Sequence, residues 1–422
     1  MKIAETSIFN MFALLSLQHF AEPINNVNHT GSEGLENQNK IFYSRQLIET
    51  MGPKLVHDQF AQKRDIPVNG GSSIEFRKWE ALSTNLDELI LYENIIPEGQ
   101  ELTTTDIIAV IGDAGGYVKL SDKLVLTAID PVITQATKKI SEQASIVADK
   151  ITRERMMEGT NVIYANGGEF RHKLTPENTL KLVDIFKAAA QLKGANAPTL
   201  DGGAYVAIIH PYTSLELMLE DGVSNTWMDV SKYKNAEKIY NGELGKLGGV
   251  RFVETTQAKI IRGAKLGADS RTLTASAANG NKVTVAGAVE NELVGRYVII
   301  SGELYYVSAN TATQLTLVDP DDHVTAVTVT LGDDKTVYPG EGGAEGVSVF
   351  ATIVIGADAY ATTSIGGAGI EHIIHDKGEI GGPLNQYSTV GWKLRKTAEI
   401  LVDEYMIRIE SCSKTFPHAE AN

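Results

Sequence analysis

Residues 130–159 read DPVITQATKKISEQASIVADKITRERMMEG, and how this stretch folds decides how the rest is organised. Asp130 can cap a first helical turn, and Pro131 follows where a missing N–H costs nothing. Ile133, Ala136, Ile140, Ala144, Val147 and Ile151 recur at spacings of three and four, which is helical periodicity, and Gly159 supplies the stop. A single helix over the stretch spans about 40 Å, well beyond the usual ~11–12 residues. Lys138, Lys139, Glu142, Asp149, Lys150, Arg153 and Glu154 occupy much of the remaining surface. Asp149/Arg153 and Lys150/Glu154 are opposite charges four apart, a spacing that lets a polar face support itself in water. The expectation is a strut lying across a sheet on a narrow apolar stripe. A long helix in an ordinary enzyme shows the same pattern, so the flanking segments carry the decision.

Toward the N-terminus the period changes to two. Ile66-Pro67-Val68 and a Gly70-Gly71 turn lead into Ile74 to Trp79, a strand with Ile74 and Phe76 on one face and Glu75, Arg77 and Trp79 on the other. The strand-rich run Asp106 to Leu120 can return antiparallel to it. Between them Ala81 to Thr105, with Asp87, Glu88, Glu93, Glu98 and Glu101, is long for a connection inside a compact domain, and such connections are often functional. This predicts a β-hairpin arm that leaves the body and returns just before the strut. Trp79 beside Arg77 is the pairing a docking surface uses, although packing within one domain uses it too. Farther upstream, Lys40 to Phe60 reads as a helical piece with Phe42, Leu47, Leu55 and Phe60, broken at Gly52-Pro53, after a polar lead from Asn25 to Asn39. Ile8 to Leu17 is apolar enough for a signal segment, but Glu5 flanks it and no small-x-small site follows cleanly. An arm that docks on a neighbour is the preferred expectation, with Met11 as an alternative start.

Beyond Gly159 a short strand, Asn161 to Tyr164, precedes a helix with Thr175 as cap, Pro176 at its first position, Leu180, Val183 and Phe186 inward and Gly194 as stop. Ala204 to Ile209 is a buried strand, His210-Pro211 opens a short helix through Leu219, and Gly248 to Glu254 is another strand. From about Gly263 to Gly346 β-branched runs alternate with turns: Lys282–Val285, Tyr297–Ile300, Tyr305–Val307, Gln314–Val318 and Val324–Leu331, with Ser301-Gly302 as a tight turn. This is a small all-β module inserted into a larger domain. The parent resumes with Val349 to Ile355, then a glycine-rich loop from Gly366 to Gly382 and strands Thr389–Leu394 and Ala398–Ile409.

The chain of 422 residues can bury a large core and hold more than one domain. Its net charge of −15 argues against a protein whose main task is gripping nucleic acid. One cysteine, Cys412, excludes an intrachain disulfide framework and any multi-cysteine zinc site. Nothing approaches the ~18 consecutive apolar residues of a membrane helix.

Candidate chemistry is thin. Gly242-Glu243-Leu244-Gly245-Lys246 is too short for a phosphate loop, and Leu247 stands where the magnesium-binding hydroxyl belongs. Gly366-Gly367-Ala368-Gly369 lacks dinucleotide-loop spacing and reads as a loop. His372 and His375 beside Asp376 could bind a metal from one helical turn, with solvated imidazoles the commoner account. Asp319-Pro320-Asp321-Asp322 does not match calcium-loop spacing. His210, Ser214 and Asp221 are the residue types of a hydrolase triad, without a nucleophile elbow around Ser214. No catalytic, cofactor or metal residue is assigned.

Many short segments taken in order carry a resemblance. Leu17-Gln18-His19-Phe20-Ala21, Asn39-Lys40-Ile41-Phe42-Tyr43, Phe60-Ala61-Gln62-Lys63, Gly71 to Trp79, Tyr117 to Asp122, Gly159-Thr160-Asn161-Val162, Ile209-His210-Pro211, Gly249 to Thr255 and Gly391-Trp392-Lys393 fall as they do in the N-four-type major capsid proteins of tailed bacteriophages, whose fold is the Hong Kong phage-type capsid fold. The chain resembles that family everywhere except roughly residues 264–345 and the long N-terminal lead. The resemblance implies an α+β chain: an N-terminal arm at 1–62, an extended β-hairpin loop at 63–122, and a peripheral domain at 123–200 with its spine helix at 130–159. An axial domain at 201–263 and 346–386 is interrupted by the inserted β-rich domain at 264–345, and peripheral strands close the chain at 387–422. It further implies a non-enzymatic subunit without cofactors that assembles with its own copies into pentamers and hexamers of an icosahedral shell. That shell encloses double-stranded DNA without reading its sequence, possible associates are portal, scaffold or decoration proteins, no membrane is involved, and the location is the virion, assembled in the host cytoplasm. Phe76, Arg77, Trp79, Glu80, Phe42 and Tyr43 are the candidate inter-subunit contacts. Two other classes stay open: a secreted or surface β-rich adhesion protein that binds through the insertion, and a hydrolase using Ser214.

Overall fold

The computed structural model describes residues 55–67, 69–80, 82–91, 99–128, 131–200, 203–220, 228–229, 242–262, 273–332, 336–365, 370–376 and 386–422. Asp130, Phe42 and Tyr43 lie outside them, as do Asp221 and Gly366 to Gly369. The chain divides into two compact units. The smaller includes Gly115–Ala144 and Ile370–Lys393, and the larger includes Met51–Ala114, Ser145–Gly369 and Leu394–Asn422.

The core of the larger unit is a mixed eight-stranded sheet. Its strands run in the order Val162–Tyr164, Met406–Ser411, Val349–Ile355, Tyr205–Ile209, Val250–Glu254, Glu243–Leu247 and Met228–Asp229, with Ile260–Ile261 also paired to Val349–Ile355. Val349–Ile355 and Tyr205–Ile209 are buried along their whole length, as continuous runs of apolar and β-branched residues require when both faces are covered. Alternation sorts their side chains into two cores. Tyr205, Ala207, Ile209, Phe252 and Val354 meet Ile185, Ala188, Ala189 and Leu192 of the helix Leu182–Gly194. Val206, Ile208, Ile353 and Ile355 face the other way, onto Val56, Phe60, Met156 and Tyr360.

The helix Leu182–Gly194 starts later than its sequence suggests. Thr175 and Pro176 belong to a separate turn, because the Thr175 N–H and hydroxyl both donate to Asn178 Oδ1 at 2.9 Å. The Leu182 N–H is instead satisfied by Glu220 Oε2 at 2.7 Å. Ile185, Ala188 and Leu192 face the sheet, whereas Val183 and Phe186, expected inward, stay exposed. His210 and Pro211 open the helix Pro211–Leu219 as expected, with His210 Nδ1 accepting from the Tyr212 N–H. Leu55 to Phe60, the described end of the expected helical piece, forms turns.

A closed barrel occupies residues 273–339. Its strands run in the order Leu273–Asn279, Lys282–Ala286, Gln314–Val318, Glu303–Asn310, Tyr297–Ile300 and Thr336–Pro339, and closure leaves no exposed sheet edge. Val283, Val285, Val298, Ile300, Val307, Leu315, Leu317 and Val337 fill it. Ser301 and Gly302, both at positive φ, make the two-residue turn between Tyr297–Ile300 and Glu303–Asn310. Val324 to Leu331, expected as a strand, makes only one bridge, between Ala326 and Val318.

The strand Gly112–Ser121 pairs with Tyr387–Ile400, which also pairs with Ile370–His375. The glycine-rich segment therefore contains a strand, and the two expected C-terminal strands are instead Tyr387–Ile400 and Met406–Ser411. Trp392 donates from Nε1 to Gln143 Oε1 at 3.1 Å. A Cβ at Gly115 would sit 2.9 Å from Trp392 O, so only glycine lets the two backbones approach. Ser121 caps the helix Asp122–Thr127 by accepting from the Leu124 N–H.

The expected strut is the helix Val132–Met156, 25 residues long. Its last turns differ from the expected solvated face. Asp149 and Arg153 are 2 % and 1 % exposed, and each is bound to a partner off the helix. Asp149 accepts from the His57 N–H at 3.0 Å and pairs with His57 Nδ1 at 2.6 Å. Arg153 donates to Gln257 O and to Asn422, and also binds its neighbour Glu154, which Lys259 pairs with as well. Asp58, beside His57, takes the Lys396 ammonium and the Thr152 hydroxyl, both at 2.5 Å. The helix end is a polar anchor for residues 57 and 58.

Candidate functional site

The hairpin expected before the strut is a two-stranded antiparallel sheet of Ser73–Trp79 and Thr104–Val110. The expected return over Asp106 to Leu120 is two strands, Thr104–Val110 and Gly112–Ser121, with different partners. The register pairs Trp79 with Thr104, Arg77 with Asp106, Glu75 with Ile108 and Ser73 with Val110 on one face, and Phe76 with Ile107 and Ile74 with Ala109 on the other. Cross-strand pairs of this kind stabilise a ribbon by roughly 0.2–1 kcal/mol each.

The first face is open. Trp79 is 62 % exposed, and Ile108 and Val110 are each 63 % exposed. Arg77 lies among them as a fixed charge, donating from Nε to Asp106 Oδ1 at 2.9 Å and from Nη2 to Glu75 Oε1 at 2.6 Å. The hydrogen bond to Asp106, then the one to Glu75, raises its pKa above the ordinary guanidinium value. Glu80 accepts from the Thr105 hydroxyl at 2.6 Å and closes the end of the ribbon. Beyond it Leu82, Leu86, Leu89, Ile90, Leu91 and Leu102 are all exposed. So much contiguous apolar side chain facing water is uncommon on a lone soluble chain. Ile108, Val110, Leu82, Leu86, Leu89, Leu91 and Leu102 share this exposure with Trp79, the candidate named from the sequence.

The second face is half-buried. Ile74, Phe76, Lys78 and Ile107 wall an open cleft of about 400 Å³, which Glu75 and Arg77 also line and which Gln62, Arg64, Asp358, Leu401 and Val402 complete. Phe76 alternates along the strand with Arg77 and Trp79, although Arg77 lines the same cleft.

The other candidates do not assemble. Ser214 Oγ hydrogen-bonds Pro211 O at 3.0 Å and Glu254 Oε1 at 2.7 Å, while His210 Nδ1 serves as a helix cap. Burial holds the His210 imidazole down to about 4. His372 and His375 lie on the strand Ile370–His375, where an odd spacing sends side chains to opposite faces. Among the described residues no group of three or more His, Cys, Asp or Glu is placed to hold a metal. Asp319 accepts from the Asp321 N–H, and Asp322 from the Val324 and Thr325 N–H groups, so these carboxylates satisfy their own turn. Cys412 is fully buried beside Leu174, Val347 and Val349, and burial pushes its thiol up to about 12.

No family model matches the chain. No curated protein matches it either. Solved structures do. The capsid of Ralstonia phage GP4 matches with a TM-score of 0.56 at 10 % identity, over 92 % of this chain and 98 % of that one. The capsid of cyanophage Pam1 gives 0.53 at 10 % identity over 90 % and 99 %, and that of cyanophage P-SCSP1u gives 0.51 at 12 % over 93 % and 100 %. At these identities the likeness speaks for the fold, and the fold is that of phage capsid chains.

Proposed function

We propose that this chain is the major capsid protein of a tailed bacteriophage, assembling into pentamers and hexamers of an icosahedral shell around double-stranded DNA. The observation that carries the reading is the length-for-length agreement with a phage capsid chain, 92 % of this chain on 98 % of that one. The exposed hairpin supports it. A shell needs several modest contacts repeated many times, because simultaneous contacts multiply into large avidity. Head-to-tail contacts close into rings where the rotation permits.

Under this reading residues 1–62 are the arm, 63–122 the extended loop, and 123–200 a peripheral domain built on the spine helix, completed by 387–422. Residues 201–263 and 346–386 form the axial domain, and 264–345 an outward module that decorates the surface or locks capsomers. The family is the N-four type. Trp79, Arg77, Glu80 and Phe76 are inter-subunit contacts, as are Phe42 and Tyr43 of the arm. The subunit is non-enzymatic and acts in the virion, assembling in the host cytoplasm with portal, scaffold or decoration proteins as further associates. An acidic wall suits a container that must not adsorb its cargo. Sedimentation of the purified chain tests the proposal: rings of five and six copies and a larger closed species are expected, and a monomer at every concentration overturns it.

A further inference from the structure

The strands that lead into and out of the barrel lie side by side. Ile260–Ile261 pairs antiparallel with the start of Val349–Ile355, Ile260 opposite Phe350 and Ile261 opposite Val349. A strap of residues 417–422 holds both. On the outgoing side the Ser348 N–H donates to Pro417 O at 2.8 Å and the Ser348 hydroxyl to Ala419 O at 2.6 Å. On the incoming side Arg262 Nη1 donates to His418 O at 2.9 Å. Asn422 then fills a pocket that uses every hydrogen-bonding position of its amide. Its Oδ1 accepts from Arg153 Nη1 at 3.0 Å and from the Ile260 N–H at 3.1 Å. Its Nδ2 donates to Thr256 O at 3.1 Å and to Ala258 O at 2.8 Å. Arg153, itself 1 % exposed, also donates from Nη2 to Asn422 O at 3.0 Å. Residues 417–422 lie outside helices and strands, and His418, Glu420 and Ala421 are exposed.

We infer that residues 417–422 are a clasp that closes the barrel's neck, and that the pocket holding Asn422 is a recognition site for an asparagine side chain. Two donors and two acceptors converge there, and a primary amide on one methylene supplies the matching set. Leucine has the same outline with no polar atom, glutamine is one methylene longer, and aspartate turns the two donated hydrogen bonds into contacts between oxygens. A site built around hydrogen bonds discriminates sharply, because a side chain lacking them leaves the site's own groups unpaired. Arg153 belongs to the end of the long helix Val132–Met156, so the closed clasp ties both connections of the barrel to that helix. Hydrogen bonds rather than apolar burial hold the strap, so it opens without unfolding either core.

Amide hydrogen exchange of the full chain tests the clasp, because the Ile260 and Ser348 N–H groups donate directly to it. In Asn422→Leu these two amides exchange faster by about tenfold or more, the net worth of one or two hydrogen bonds. The barrel interior at Val283 and Leu315 and the sheet interior at Val354 keep the parent's rates. A chain ending at Phe416 opens in the same way. An end-blocked hexapeptide with the sequence of residues 417–422, added at millimolar concentration, restores protection at Ile260 and Ser348 in that chain. The same peptide with leucine in place of its asparagine does not. Should the shortened chain fail to fold, Asn422→Leu in the full chain still decides. Parent-like rates at Ile260 and Ser348 in Asn422→Leu overturn the clasp, as does exchange that rises equally through both cores. An asparagine peptide that gives no protection, or a leucine peptide that protects as well, overturns the recognition site.

Discussion

Asp149 and Arg153 set the limit of reading residues from spacing. As charges four apart on a long helix they match a solvated pair, yet both are buried, and Asp149 holds the backbone and the ring of His57. The partner lies 92 residues away, and no periodicity within the helix can announce it. Asp149→Ala strands two buried donors at His57. Each orphaned group costs about 1–3 kcal/mol, so a loss on the order of 3 kcal/mol is expected in urea unfolding, with amide exchange rising first at residues 55–60. Unchanged stability would show the anchor to be incidental. His210 gives the pH counterpart. Its folded pKa of about 4 lies below the ordinary 6.5 because of burial, so the unfolded chain takes up the proton first. Stability from this group is complete above about pH 6.5 and is lost as the pH falls toward 4, by about 3 kcal/mol in all. His210→Asn keeps a capping side chain and removes this dependence, so denaturant titrations at pH 7 and pH 4.5 should differ less in the variant than in the parent. An equal difference would contradict it.

Among the elements, those with strong local signals were legible. The strut, the ribbon's first strand, the buried strand Tyr205–Ile209 and the helix opened by His210-Pro211 all sit within a few residues of their expected places. The helix Leu182–Gly194 did not, because a self-closed Thr175–Asn178 turn takes up the residues expected to open it. The run after Asp106 also misled, since one stretch of β-prone residues serves two strands with different partners. The candidate surface was half legible. Trp79 and Arg77 could be named from residue type, whereas the exposure of Ile108 and Val110 depends on a cross-strand register that the sequence does not state. Trp79 tests what that surface is for. At 62 % exposure it adds little to the fold of one chain, so Trp79→Ala should leave monomer unfolding within about 0.5 kcal/mol of the parent. If it is an anchor between copies, the substitution costs on the order of 2 kcal/mol per contact. Light scattering during denaturation of assembled material reads that loss, and shells as stable as the parent's would remove Trp79 from the interface.

On the scale of the whole molecule, the barrel and the eight-stranded sheet have separate cores. Leu273, Val283, Val298, Leu315 and Val337 pack among themselves, while Val354, Phe252, Ile185 and Ile409 belong to the sheet. A core that shares none of its buried residues with the other can be removed as a unit. Deleting 264–345 and joining the ends with a short glycine linker should leave a chain that still unfolds cooperatively and still assembles. A chain that cannot fold even as a monomer would show the barrel to be part of the body's own stability. Four of its strands were foreseen from alternating β-branched runs. Its closure was not, because the first and last strands, Leu273–Asn279 and Thr336–Pro339, meet across about sixty residues of chain and only the register joins them. The proposed function stands on one claim, that copies of this chain tile a closed surface. Electron microscopy of the purified full-length chain tests it most directly: class averages should show five- and six-fold rings and closed shells, and a field of single unassociated particles at high concentration would contradict it.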